Sequence, residues 1–197
     1  TWLGHARVTI RTDNEPAIVA MIGEALKGLK VTLEGAAAEG SVPYDPQTNG
    51  AAESTVRLVK GMLAVFRRTL ERNAQARIPP THPIMTWLVR HATMVRLVCV
   101  RGTDGATAFE RLRGAPMRHE LYGFGECVRF KCRSQEGRIP GTEDRWAQGF
   151  WLGIDLRTTQ NMMYDVAAGK VRFSRTVMRL PNPQKWNIEY LSGVKVT

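Results

Sequence analysis

One short stretch of this chain combines residue types that could do chemistry on nucleic acid. Residues 43–54 begin as a loop punctuated by Pro and Gly and end by placing Glu53 in the first turn of a predicted helix. The cations Arg57, Lys60 and Arg67 come four, seven and fourteen residues after it. At about 100° per residue they share one helical face with the carboxylate. A carboxylate placed for a metal, beside cations spaced for phosphates, suits phosphodiester chemistry.

A second face of the same helix is apolar and predicts burial against a core. The pattern of three- and four-residue steps is typical of an amphipathic helix. Its members are Val56, Val59, Leu63, Phe66 and Leu70. An alternative interpretation stays open, in which this is a surface helix whose Glu53 only favours the positive end of the helix dipole.

The distribution of charge points to a polyanionic partner. The chain has 197 residues and a net charge of +10. Residues 1–53 carry a balance of −3, residues 54–101 one of +8, and residues 102–197 one of +5. A segment that attracts cations therefore borders one that attracts polyanions, in contrast to the more even charge expected of a ribosomal-type protein. An exposed basic helix without function is the alternative.

Composition predicts a soluble, intracellular globular protein. Hydrophobic residues make up 43% and charged residues 23%, and no run of eighteen apolar residues or signal-peptide layout occurs. Cys99, Cys127 and Cys132 form no paired framework, which indicates thiols in a reducing compartment. The opening Thr1 suggests a mature product, a cut polyprotein or a fragment.

The predicted elements change in character along the chain. Strands and helices alternate at first, and short strands separated by turn signals follow. The predicted helices are residues 16–28, 51–72, 84–100 and 107–113, and the predicted strands are residues 7–12, 30–33, 127–131, 149–154, 162–166 and 170–177. Residues 34–40 are predicted to be a slack connection, and the last sixteen residues a loosely packed tail. The four late strands predict a small barrel.

These motifs resemble those of retroviral integrases, and especially of copia-type retrotransposon integrases. Thr12-Asp13-Asn14 is similar to the family's strand-end aspartate, and residues 43–54 are similar to the loop and helix start that carry its catalytic glutamate. Residues 105–114 and 149–153 resemble later copia segments. The resemblance covers most of residues 7–180, and the loop with its glutamate is the specific part.

The resemblance implies an α/β fold with a truncated ribonuclease-H-like core and a small all-β barrel. The core would occupy residues 1–117, the barrel residues 118–181 and the tail residues 182–197. Asp13 and Glu53, with a further aspartate, would hold two Mg²⁺ or Mn²⁺ ions for an in-line displacement.

The resemblance also implies contacts with DNA. Tyr44, Gln47 and Asn49 match positions that approach the DNA end, and Arg57 and Lys60 match positions that contact phosphates, with Arg67 on the same face. The implied partners are element and target DNA and, in the parent, further copies of the same chain. The implied site of action is the nucleus, or a cytoplasmic particle, with no membrane association.

The chain departs from the family pattern in several places. The first family aspartate has no counterpart in the twelve residues before Asp13, and the His/Cys zinc domain is missing. Glu15 and Pro16 stand where glycine is usual. Two other functions stay open: a non-catalytic DNA-binding remnant, and an assembly module that acts through the apolar sides of the 51–72 and 84–100 helices.

An incomplete carboxylate set predicts that this chain alone has no transferase activity, because a second metal would have too few ligands. The measurement is a strand-transfer assay with Mg²⁺ or Mn²⁺ and a matched donor DNA end. A product that is abolished by Glu53→Gln would contradict the prediction.

Overall fold

The computed structural model describes residues 6–12, 14–29, 34–40, 50–132 and 145–194. The chain divides into two compact units, Thr1–Leu58 and Val59–Thr197. The fold is mixed α/β. None of the helices in the described ranges is long and apolar enough to span a membrane.

The first unit contains a β-α-β arrangement. Strand β1 (Arg7–Thr12) is followed by helix α1 (Pro16–Leu29) and strand β2 (Gly35–Gly40). The two strands pair in parallel, and the facing residues Arg11 and Glu39 form an ion pair of 2.9 Å. Parallel pairing requires a crossover, which α1 supplies.

The predictions of β1 and α1 are confirmed, but the prediction for residues 34–40 is wrong. Gly35–Gly40 is a strand although Gly and Ala have low strand propensity. The ladder to β1 and the Arg11–Glu39 pair stabilise this strand, and neither is visible in local sequence. The strand predicted at residues 30–33 lies outside the described residues.

Three predicted helices are confirmed between the two β regions. They are α2 (Gly50–Ala74), α3 (Ile84–Cys99) and α4 (Ala108–Arg113). Helix α4 begins with a capping box, in which Thr107 and Glu110 each accept a hydrogen bond from the other's backbone N–H. It ends at Gly114, whose φ of 73° suits a left-handed C-cap.

Five antiparallel strands form the sheet of the second unit, in the spatial order β6-β5-β4-β3-β7. Each of the four predicted strand segments contributes to it. The strands are β3 (Cys127–Lys131), β4 (Trp146–Asp155), β5 (Gln160–Asp165), β6 (Lys170–Ser174) and β7 (Val177–Arg179).

The prediction of a small barrel is wrong, because this sheet is open. Within the described residues, β6 and β7 are the two edges and share no ladder. The strand predicted at residues 170–177 breaks into a corner, at which the Ser174 hydroxyl donates to the Lys131 carbonyl at 2.9 Å. The Thr176 N–H donates back to the Ser174 hydroxyl at 3.2 Å. The chain thus crosses to pair β7 with β3, and closure would require a continuous β6–β7 ladder.

The core of the second unit lies between α3, the end of α2 and the sheet. Two clusters of apolar side chains fill it. One contains Leu70, Ile78, Ile84, Leu88, Phe124, Phe150, Leu152, Met162, Tyr164, Leu191 and Val194. The other contains Met94, Val98, Phe109, Val128, Phe130, Trp151, Ile154 and Met163.

The predicted loosely packed tail is in fact packed as far as residue 194. A short helix α5 (Ile188–Ser192) begins at Asn187, whose side chain accepts from the Glu189 N–H. Leu191 and Val194 are buried in the first core cluster. The turn residues between Pro181 and Asn187 bring this apolar pair to the core. The sequence did not predict this packing, because two apolar residues are too few to show a helical or strand periodicity. The predicted domain boundary after residue 117 stays a prediction.

A buried histidine links α3 to β4. His91 is surrounded by the rings of Phe66, Phe124 and Trp151, with centroids 5.0 to 5.5 Å away. Its Nδ1 donates to the Leu152 carbonyl at 3.2 Å, since a carbonyl oxygen can only accept. Burial lowers the pKa of His91 to about 4, although the hydrogen bond to Leu152 acts in the opposite direction.

The depressed pKa of His91 predicts loss of stability in mild acid. The unfolded chain binds a proton near pH 6.5 and the folded chain near pH 4, so stability is complete above pH 6.5 and falls between these values. In that window the free energy of unfolding should rise by roughly 1.4 kcal/mol per pH unit. Urea unfolding at several pH values measures it. His91→Gln should flatten the slope, and His119→Gln is the control on an exposed histidine. An unchanged slope in His91→Gln would contradict the assignment.

Candidate nucleic-acid interface

The clearest functional surface of the second unit is the cationic side of α2. Lys60, Arg67, Arg68 and Arg72 lie along α2, and Arg68 and Arg72 lie on the side opposite Leu70, which is buried. We call these four residues the α2 cationic face. Lys60, Arg68 and Arg72 are exposed, and none makes an ion pair with a described carboxylate. Their charges are therefore available to an external anion.

Core packing explains why these cations face outward. Leu63 and Phe66 pack against the first core cluster, and Leu70 closes on Gly125. A Cβ added to Gly125 would lie 2.5 Å from the Leu70 Cδ1 atom, so the helix approaches the β3 entry closely. The predicted apolar face is confirmed for Leu63, Phe66 and Leu70. Val56, in the first unit, is exposed instead.

Arg67 has a structural role as well as a cationic one. Its Nε donates to Glu71 at 3.2 Å, and Glu71 also accepts from the Ile78 N–H at 2.9 Å. The Ile78 hydrogen bond and the neighbouring Arg67 lower the pKa of Glu71. The pair anchors the turn after α2, where Ile78 is buried. Arg67 is thus partly neutralised, and Arg68 and Arg72 are the stronger candidates for phosphate contacts.

Two of the predicted site residues lie on the part of α2 that belongs to the first unit. Glu53 stands in the first turn of the helix and Arg57 one turn later, and both side chains are exposed. Glu53 is thus favoured by the helix dipole, as the simpler interpretation requires, and its carboxylate is also open to solvent. Both roles are compatible with its position.

The other predicted site residues lie outside the described residues. They are Asp13, Tyr44, Gln47 and Asn49. The described strand β1 ends at Thr12, next to Asp13, and the described helix α2 begins at Gly50, next to Asn49.

The described residues do not by themselves form a metal centre. No group of three His, Cys, Asp or Glu side chains in these ranges could hold an ion. Glu53 offers one carboxylate, whereas Mg²⁺ takes six oxygen ligands in near-octahedral geometry.

Sequence reasoning missed Arg68 and Arg72. The available signal was their i, i+4 spacing on a helix with a single acidic residue, Glu71, between Arg57 and Ala74. It also missed Arg67 as the partner of Glu71. That pair has the same i, i+4 spacing, but the Ile78 N–H that fixes its role is known only from the turn geometry.

No family model and no curated protein matches this chain. Among solved structures, it is similar to a chain in the cryo-EM structure of the simian T-cell lymphotropic virus intasome in complex with PP2A regulatory subunit B56 gamma. The sequence identity is 16% and the TM-score is 0.38. The match covers 88% of this chain and 58% of the other, so this chain spans little more than half of that length. The functional interpretation therefore rests on this chain's own residues.

The exposed cations of α2 predict the first effect of mutation. Arg68→Ala with Arg72→Ala should weaken binding to duplex DNA. It should also reduce the slope of log affinity against log salt concentration by about 2, because each lost phosphate contact removes about 1. Fluorescence anisotropy at several salt concentrations measures both quantities. The charge-matched control is Lys27→Ala with Arg111→Ala, which removes two exposed cations that are already ion-paired. Equal losses in both double variants would show that only net charge matters.

Proposed function

We propose that this chain is a nucleic-acid-binding part of a retroelement integrase, and that it grips the phosphate backbone of DNA through the α2 cationic face. The observation that carries the proposal is that the integrase-like motif and the exposed cations lie on one continuous stretch of the chain. The loop-and-glutamate motif of residues 43–54 runs into the same helix that exposes Lys60, Arg68 and Arg72.

The physical basis of binding is the release of counterions from DNA. Each exposed cation that neutralises a phosphate releases about one condensed counterion, so affinity falls steeply with salt. A rigid helix also spaces its cations without further ordering. Phe66 and Leu70 pack against the core, and this packing limits the motion of the helix that carries Arg68 and Arg72.

The chemical part of the proposal concerns the parent protein. Asp13 and Glu53 would bind Mg²⁺ or Mn²⁺, which would supply nucleophile activation and charge stabilisation for phosphodiester transfer. Tyr44, Gln47 and Asn49 would approach the DNA end, and Arg57 with Lys60 would hold its phosphates. The parent would act in the nucleus as a homo-oligomer on element and target DNA.

A non-catalytic DNA-binding remnant is the second candidate function. It is favoured by one observation, namely that Lys60, Arg68 and Arg72 are exposed and make no ion pair with a described carboxylate, so they can bind phosphates without a divalent cation. The two candidates share the DNA-binding step. They differ in whether a divalent cation contributes through Glu53.

Duplex binding with and without divalent cations tests the proposal and separates the candidates. We expect binding in EDTA at low salt, with a steep loss as salt rises. If Glu53 takes part in a metal site, Mg²⁺ or Mn²⁺ should strengthen binding of a DNA end, and Glu53→Gln should remove that increment. Glu24→Gln is the control, since Glu24 is an exposed helical carboxylate paired with Lys27.

The outcomes assign the function. An increment that only Glu53→Gln removes supports the integrase site. Duplex binding that does not change when divalent cations are added supports the non-catalytic DNA-binding remnant. Absence of duplex binding at low salt would overturn both candidates.

A further inference from the structure

A polar pocket of about 310 Å³ lies beside the corner at which β6 gives way to β7. One wall comes from residues of the segment 118–122, which leads towards β3, and the other from residues 175–177 of the corner. Strand β5 contributes Asn161. We call this site the corner pocket. Its residues all belong to the second unit, and none of them lies on α2.

Asn161 forms the floor of the corner pocket. It is 6% exposed, whereas the pocket residues of both walls are exposed or half-buried. The orientation of its amide follows from chemistry, because the amide oxygen accepts from the Trp151 indole Nε1 at 2.9 Å and an indole N–H can only donate. The other end of the amide is therefore the NH₂ group. No described residue accepts a hydrogen bond from it.

This buried donor differs from its polar neighbour on the same sheet. Ser174 lies directly across the ladder from Asn161 and is also buried, but its hydroxyl donates to the Lys131 carbonyl and accepts from the Thr176 N–H. A buried N–H group without an acceptor is unfavourable, since folding has removed its hydrogen bonds to water. An acceptor supplied by a ligand would satisfy the Asn161 NH₂ group.

Two arginines supply positive charge on the walls above this donor. Arg118 and Arg175 lie on opposite walls, both are exposed, and neither makes an ion pair with a described carboxylate. The pocket carboxylate, Glu120, is bound by Arg179 at 2.8 Å, and Arg179 also binds Glu126 at 2.8 Å. That group of three carries one net negative charge. With the two arginines, and with His counted as neutral, the formal charge around the pocket is +1.

This charge and these donors match a single carboxylate group. A carboxylate is planar, carries one negative charge and offers two oxygens, which the guanidinium fork of an arginine can bind with two parallel hydrogen bonds. The Asn161 NH₂ group can donate to the same carboxylate from the floor. A phosphate monoester carries a charge of about −1.5 to −2 at neutral pH, which is more than the pocket balances. A phosphodiester continues into its strand on both sides, which hinders access to a donor on the floor.

We propose that the corner pocket binds one carboxylate group, held between Arg118 and Arg175 and hydrogen-bonded at its base by the Asn161 NH₂ group. Two sources can present this chemistry: an acidic side chain or chain end of a peptide, and a free small carboxylic acid. The inference goes beyond the proposed function, because it requires neither DNA nor any residue of the α2 cationic face.

The indole N–H of Trp151 reports on the pocket, because it is hydrogen-bonded to the Asn161 amide. A titration with sodium acetate against sodium chloride at constant ionic strength, followed by ¹H–¹⁵N NMR, should shift this resonance until it saturates. Arg175→Gln should weaken acetate binding by about tenfold, and Arg118→Gln with Arg175→Gln should abolish the shift. Arg68→Gln is the matched control, since Arg68 is an exposed arginine outside the pocket.

Blocked peptides distinguish the two sources of the carboxylate. The probes are acetyl-Gly-Glu-Gly-amide, acetyl-Gly-Gly-Gly with a free carboxyl end, and acetyl-Gly-Gln-Gly-amide as the neutral control. Tighter binding of either acidic peptide than of acetate assigns the site to a peptide, and identifies a side chain or a chain end. Acetate binding that equals or exceeds both assigns it to a free acid.

The remaining outcomes overturn the inference. They are the absence of a saturable shift with every carboxylate probe, a shift that Arg118→Gln with Arg175→Gln leaves intact, and tighter binding of inorganic phosphate or of a short oligonucleotide than of any carboxylate probe. Thermal unfolding checks that the variants are folded. Duplex binding by Arg68→Ala with Arg72→Ala tests the proposed function separately, because neither residue lines the corner pocket.

Discussion

The packing of α3 onto the centre of β4 is the interaction on which the rest of the second unit depends. Residues 150–154 of β4 are almost wholly buried, and their side chains enter both core clusters. A bulge between Trp151 and Gly153 and the φ of 151° at Gly153 let Met94 and His91 approach the strand. A side chain at that position would be strained in this backbone conformation, so glycine is required there.

Once β4 is buried on both faces, polar groups at its ends must find partners. Asp155 and Asp165 precede two four-residue turns and are buried, and each accepts hydrogen bonds from its own turn. Thr159 and Gly169 take the left-handed conformation at the equivalent last position of these turns, with φ of 56° and 62°. The β4–β5 and β5–β6 hairpins are therefore formed by the same type of turn.

The charged surfaces follow from this core. The apolar side of α2 packs against the first cluster, so Arg68 and Arg72 on its opposite side are exposed to solvent. The sheet in turn leaves β6 as an edge, where Phe173 and Lys170 remain accessible.

Much of the local structure was predictable from the sequence, because it depends on short-range periodicity and capping. The helices that became α1, α2, α3 and α4 and the strand segments near residues 127–131, 149–154 and 162–166 were found by these signals. Lys60 and Arg57 were also recognised as exposed cations by their spacing alone. The placement of Asp13, Tyr44, Gln47 and Asn49 in a site stays a prediction.

Tertiary structure decided what depends on pairing between distant residues. The Gly35–Gly40 strand exists because β1 lies beside it, and the sheet stays open because β7 pairs with β3 at a corner held by Ser174. No local pattern encodes those partners, since a ladder joins residues far apart in sequence. The sequence by itself determined the helix faces, the turn residues and the excess of positive charge. Only the folded chain decided which cations are already paired and which aromatic ring remains exposed, because both depend on neighbours brought together by the core.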